Sequence, residues 1–355
     1  MRVTALKLGS LFDGIGVFPL AAVHCGMEPV WASEIEARPI SITKRHFPDM
    51  LHLGDITKIS GAEIPPVDVI TFGSPCQDLS QIGTRNGFAG KKSSLFYQAM
   101  RIIEEMRYAT NGRYPAFCIW ENVAGAFSSN DRLDFAAMLS AFTGAEVSVP
   151  PRGWAHAGMV RGGRADTAWR LLDAQYWGEP ALVQRRKRVF VVADFAGQRA
   201  GEVLFKPRTV LPFPAAGGPG GLSAAQRGGV PAAQTGRQVP IVRPFSLRRM
   251  RTMAQVGDQK GFCASFGRGG EPFPTLLASV TAPFSFWYEG EEQDGFLRVL
   301  TPLECERLMG LPENWTKYGC KNEEISDHAR YRALGNSIAL PCAEYVMAGI
   351  AEVMN

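Results

Sequence analysis

Apolar residues over the first 195 positions recur in two rhythms that take turns. Short apolar or β-branched runs have strand length and end in Gly, acidic or polar residues. They are "ALKLGSLF", "EPVWASEIE", "VDVITFGSP", "PAFCIWENV" and "RKRVFVVADF". Between the first of them lie "FPLAAVHCG", which keeps helical spacing and stops at Gly26, and "ARPISITKRHF". Strands alternating with helices predict an α/β fold: a parallel sheet covered by helices on both faces. Ligands of such sheets bind beyond the carboxyl ends of the strands, so the residues after each apolar run carry the functional argument.

The rhythm fades at residue 196. From "GQRAGEVLFKPRTVLPFPAAGGPGG" onward Gly, Pro, Ala and Gln dominate, which predicts a loop-rich second domain or a linker. The aromatic run "PFSFWYEG" (283–290) favours a folded unit with a small core of its own. Helical patterning resumes at "TPLECERLMG", where Thr301 and Glu304 have the spacing of a capping box.

Composition narrows the class. With 355 residues, 46% of them hydrophobic and 20% charged, the chain suits one large globular domain plus a smaller one. Seven Cys without a CxxC pair favour neither a zinc site nor a disulfide framework, so no metal is expected. The start "MRVTALKLGSLFDGIG" lacks the apolar core of a signal peptide, and no stretch approaches the roughly 18 apolar residues of a membrane span. A cytoplasmic protein without membrane contact is the expectation. The net charge of +4 permits a polyanionic partner without requiring one. Its distribution says more, with basic clusters at "QRRKR" (184–188) and "FSLRRMR" (245–251).

Chemistry-bearing residues stand after the apolar runs. "LFDGIG" sets Gly14 and Gly16 between a strand and a helix, where a ligand can approach the backbone and meet a helix N-terminus; a plain tight turn is the alternative. Glu34 ends the second strand, a position suited to ribose hydroxyls or simply to solvent. Asp55 in "LHLGDIT" could hold an adenine or amino group, and acids in place of GK[ST] favour an adenosine ligand without phosphates. Cys76 in "GSPCQDLSQIG" is a thiol on a Pro-shaped turn at a strand end: a nucleophile once ionised, or an inert buried Cys. The polar run after it, with Gly83, Gly87 and Gly90, reads as a lid or a connection. In "ENVAG", Glu121 is a general acid or hydrogen-bond partner for a ring nitrogen, or a structural cap. Arg186 and Arg188 alternate on an expected strand, so both would leave one face toward a phosphate or carbonyl oxygen, or form a solvated edge.

Taken in order, "LFDGIG", "SEIE", "GDIT", "GSPCQ", "ENVAG", "QRRKR", "RVLTPLECERLMGLP" and "YRALGNSIALP" resemble the motif series of the bacterial and phage cytosine-5 DNA methyltransferases. The resemblance spans the chain except roughly 196–295, where that family places its variable target-recognition region. It implies a Rossmann-like doubly wound S-adenosylmethionine-binding domain (1–195 plus 326–355) and a smaller loop-rich target-recognition domain (196–325). It implies Cys76 as nucleophile, Glu121 at the base N3, and Arg188 with Arg186 at the base carbonyl or a phosphate. Phe12, Gly14, Gly16, Glu34, Ile35, Asp55, Ile56, Pro75, Leu95 and Asn336 would line the methyl-donor site. The implied substrate is a cytosine flipped out of duplex DNA, with transfer RNA as the alternative. A monomer is expected, and a cognate restriction endonuclease is a candidate partner. A dinucleotide-dependent oxidoreductase would account for the strand–GxG–helix start and Glu34, but it leaves Cys76, Glu121 and the arginines without a role. Three departures stand out: Val17 where many relatives have Gly, extra residues between Pro180 and Gln184, and a long 127–178 stretch.

Overall fold

The structure is a computed structural model that describes residues 5–74, 95–206, 241–245, 273, 275–276, 285–289 and 296–354. The chain packs as two compact units, one made of 1–172, 187–207 and 342–355, the other of 173–186 and 208–341.

The first unit is built on the strands β1 (Lys7–Leu11), β2 (Glu28–Ser33), β3 (Leu51–His52), β4 (Val69–Phe72), β5 (Phe117–Val123), β6 (Ala157–Arg161), β7 (Asp166–Asp173) and β8 (Lys187–Asp194). They form one sheet in the order β3-β2-β1-β4-β5-β8-β7-β6. The pairs from β3 through β5 are parallel, joined by crossovers that include α1 (Val17–His24), α2 (Ala37–His46) and α3 (Leu95–Ala109).

Alternation explains the burial. Ile70 and Phe72, Cys118 and Trp120, and Val189 and Val191 share one apolar cluster with α3 and with α4 (Leu133–Thr143). Their neighbours Val69, Phe117, Ile119, Phe190 and Val192 point the other way and are equally buried, so both faces of the sheet are covered. Helices α5 (Ala200–Leu204) and α8 (Leu340–Met354) stand apart from that cluster, and α8 buries Val346, Met347 and Ile350.

The expected all-parallel sheet is corrected in one half. Strand β8 runs antiparallel to β5, and β6 is antiparallel to β7. A parallel neighbour needs a long crossover, usually a helix. The segment between β7 and β8 holds only the short turn Ala174–Tyr176, and "GMVRGGRADTAW" closes as a hairpin.

In the second unit, the strands β9 (Ile241–Phe245), β10 (Ser285–Glu289) and β11 (Phe296–Val299) form an antiparallel sheet. Helix α6 (Pro302–Leu308) opens on the expected capping box: the Thr301 hydroxyl accepts from the Glu304 backbone N–H, and the Glu304 carboxylate accepts from the Thr301 N–H at 2.8 Å. Helix α7 (Asp327–Asn336) follows. Among the described residues no single helix is long and apolar enough to cross a membrane.

Candidate active site

The sheet order reverses between β1 and β4: from β1 the chain first builds outward to β2 and β3, then returns to the other side. In open α/β sheets such a reversal marks the crevice where ligands bind, and the two groups of predicted residues stand at the carboxyl ends of the strands on its two sides.

On the β1 side, Phe12, Gly14 and Gly16 all have positive φ, +54°, +60° and +79°. Glycine is required at 16, where a Cβ would come within 3.1 Å of Phe47 and 3.2 Å of Thr43. At 14 the space around the missing side chain is open. The Gly14 N–H donates to Glu34 Oε2 at 2.9 Å, while Glu34 Oε1 accepts from the backbone of Ile35 (2.7 Å) and Glu36 (2.9 Å). Glu34 is therefore locked by three amides, which fixes its carboxylate at the mouth of the crevice. Beside it Ile35 is 72% exposed, an apolar side chain held in the open, whereas Ile56 is buried. Asp55 caps the turn Ile56–Lys58, accepting from the Thr57 N–H at 3.0 Å and hydroxyl at 2.8 Å, and these bonds hold its carboxyl below the usual carboxylate range. Leu95 begins α3 and is half-buried; Asn336 ends α7 in the second unit and is exposed.

One residue inside the quoted "LFDGIG" escaped the sequence reading. Among the described residues neither buried carboxyl oxygen of Asp13 has a hydrogen-bond partner, and burial, reinforced by the charge of Glu34, pushes its pKa up to about 7. The hydroxyls of Ser10 and Thr43 are near enough to oppose that rise but lie outside hydrogen-bonding geometry. The only advance signal was an acid between a strand and a Gly turn.

On the β4 side, parallel pairing sets Phe72 opposite Trp120, which brings Gly73 beside Glu121. A Cβ at Gly73 would stand 3.1 Å from Glu121 Oε2. The antiparallel pairing sets Arg188 opposite Val123 and Phe190 opposite Glu121, so Glu121 and Arg188 are diagonal neighbours on one face. Arg188 Nε meets Glu121 Oε1 at 3.0 Å, with both side chains nearly buried. Ser74, also missed by the sequence reading, ties the strand ends together: its hydroxyl accepts from Trp120 Nε1 (3.1 Å) and its carbonyl from Asn122 Nδ2 (3.0 Å). Pro75 and Cys76 lie outside the described residues.

The expected strand placement of Arg186 is corrected. The residue precedes β8 rather than sharing it with Arg188, and it is fully buried in the second unit. Its guanidinium donates to the carbonyls of Leu276 (3.0 Å), Gly335 (2.9 Å) and Ser337. Strand alternation failed here because the strand begins one residue later than its apolar pattern implied.

A family described as "C-5 cytosine-specific DNA methylase" matches residues 6–205 and 245–352, most of the chain. The chain belongs to that family. Among relatives of this methylase, the type II methyltransferase M.HhaI of Haemophilus parahaemolyticus is 22% identical, over 100% of this chain and 97% of that protein. A protein of Escherichia phage P1 named "DNA N-6-adenine-methyltransferase" is 24% identical over 96% of this chain, which spans only 60% of that longer protein. Of solved structures, the Dnmt2 methyltransferase of S. pombe superposes with a TM-score of 0.60 at 14% identity, over 99% of this chain and 100% of that one. That likeness concerns the fold alone, a mixed α/β sheet with helices.

Proposed function

We propose that the methylase transfers a methyl group from S-adenosylmethionine to C5 of a cytosine flipped out of duplex DNA. The Glu121–Arg188 pair carries the reading: it sits at the end of β5, against Gly73, three residues before Cys76 in the chain.

The crevice residues fit the donor. Glu34 is fixed for ribose hydroxyls, Asp55 for the adenine amino group, Ile35 offers an exposed apolar surface, and the unfilled space at Gly14 admits the ligand to the backbone. Phe12, Gly16, Ile56, Pro75, Leu95 and Asn336 complete the proposed donor site. Bound there, the donor supplies an electrophilic methyl group.

Unactivated cytosine C5 is a poor nucleophile. Addition of the Cys76 thiolate to C6 forms a C–S bond and moves the ring electrons toward C5. Glu121 holds or protonates N3, where charge accumulates, and Arg188 fixes the Glu121 carboxylate and faces the base carbonyl. After C5 has taken the methyl, loss of its proton returns the electrons and breaks the C–S bond, so the thiolate leaves. Methylation of an exocyclic adenine amine would need no thiol addition, which is why the nucleophile and its Glu partner favour cytosine. Site selection is proposed for the 196–325 region, and the enzyme is proposed to act as a monomer.

The test is Cys76→Ala with product analysis on duplex DNA and on transfer RNA. The wild type should yield 5-methylcytosine in DNA. The variant should yield none while still binding S-adenosylmethionine. Retained methylation by the variant sinks the adduct; product only in RNA, or 6-methyladenine, sinks the substrate.

A further inference from the structure

The turn Ser129–Arg132 follows the strand of Glu121 and takes an unusual backbone path. Asn130, Asp131 and Arg132 have φ of +47°, +51° and +74°, three left-handed residues in a row before α4 begins at Leu133. Asn and Asp tolerate that region. An arginine there strains the backbone, and such strain persists only where the surroundings impose it. Here they do. The Asn130 amide donates to Asp134 Oδ1 at 3.0 Å, the Ser129 hydroxyl donates to Asp134 Oδ2, and Trp154 Nε1 donates to the Arg132 carbonyl at 3.0 Å. The Arg132 guanidinium lies over Gly153, where a Cβ would stand 3.0 Å from Cζ.

The imposed path lays Arg132 against the residue after Arg152, and both arginines are exposed. Among the described residues neither guanidinium has a hydrogen-bond or ion-pair partner. Asp134 cannot neutralise them, because it is fully buried and already holds Ser129 and Asn130. Rings brace both stretches: Trp154 packs edge-on against Phe135 at 5.0 Å, and His156 stacks on Phe127 at 6.5 Å. Phe127 ends the turn Ala124–Phe127, which packs against β8, the strand of Arg188. The two arginines thus belong to the same unit as Glu121 and Arg188 and are braced against their strands.

Two unpaired guanidiniums on a braced surface fit an anion with several exposed oxygens, which a DNA strand repeats along its backbone. We propose that Arg132 and Arg152 form a phosphate-binding patch for the duplex flanking the flipped cytosine. This rests on the reading of duplex DNA as the substrate, and it adds a contact that orients the duplex without reading its bases.

The test measures binding of the full-length protein to short fluorescent DNA duplexes of several sequences, and to transfer RNA, from low to high salt. Each phosphate contact contributes about 0.9 to the slope of log K against log salt. Arg132→Gly suits the left-handed backbone, so it should melt no lower than wild type. It should nevertheless make the slope shallower by about 0.9 and raise the Kd about eightfold at about 0.1 M salt, equally on every sequence. Arg132→Lys should restore most of the slope, because an ammonium also meets a phosphate. Arg152→Ala should lose as much as Arg132→Gly, and the double variant about twice as much. Arg113→Ala removes an exposed arginine before the opposite end of β5 and should leave the slope unchanged. Wild-type slopes in the Arg132 and Arg152 variants overturn the proposal. An equal loss in Arg113→Ala, or a loss confined to transfer RNA, overturns it too. A wild-type protein that binds no duplex DNA at low salt instead overturns the substrate reading, and the proposal with it.

Discussion

Two buried acid–arginine pairs invite comparison, one in each unit. In the second unit, the Glu306 carboxylate accepts from the backbone of Asn314 and Thr316 at 2.8 Å each, from the Thr316 hydroxyl, and from Arg330 Nη2 at 3.1 Å. Those donors come from the 314–316 loop and α7, while the acid stands on α6, so the pair is a knot. In the first unit, Arg188 holds Glu121 on one oxygen, and the other oxygen lies against a glycine at a strand end. Equal chemistry serves architecture in one place and is poised at a crevice in the other. What separates them is where each carboxylate stands: Glu306 ties α6 to a loop and to α7, whereas beside Glu121 a side chain has been left out at a strand end.

The comparison can be broken most forcefully at Glu306. Glu306→Ala takes from the buried Arg330 its nearer carboxylate, leaving Asp327 at 3.5 Å and the Thr316 hydroxyl, and it strands two backbone N–H groups, so urea unfolding should show a loss of about 3 kcal/mol. Glu121→Gln keeps the size and one acceptor. It should leave the melting temperature nearly unchanged while lowering methyl transfer to duplex DNA by about 10²–10⁴-fold. A wild-type rate would remove Glu121 from the chemistry, and a large loss of stability would make it a second knot.

Asp13 extends the series to a carboxyl whose buried oxygens meet no hydrogen-bond donor among the described residues. Its raised pKa of about 7 means that the folded protein binds this proton more tightly than the unfolded chain does. Stability from this group is therefore present below the ordinary carboxylate range and falls as pH rises through the window from about 4 to about 7. Asp13→Asn should remove that decline: little difference from wild type at pH 4, and a gain on the order of 4 kcal/mol at pH 8. Equal pH profiles for the two proteins would show that Asp13 is solvated or partnered.

Most local structure was legible because local chemistry specifies it. The apolar runs ending at Leu11, Ser33, Phe72 and Val123 are strands, the run from Val17 is a helix, and Thr301 with Glu304 closes the capping box their spacing implied. Strand direction was not legible in the same way. β8 is as apolar as a parallel strand, since both kinds are buried on two faces here, and only its pairing with β5 shows that it runs backwards. The same pairing, invisible in sequence, puts Arg188 on the Glu121 carboxylate across 67 residues of chain.

The order of motifs along the chain was enough to place this protein among the cytosine-5 methylases. Residue types and their spacing within one element obey local rules, and those can be read without coordinates. Which arginine of "QRRKR" faces Glu121 and which vanishes into the second unit was decided by tertiary structure alone. One residue of chain separates Arg186 from Arg188, yet their partners lie dozens to well over a hundred residues away, and the folded packing chooses between a carboxylate and three carbonyls.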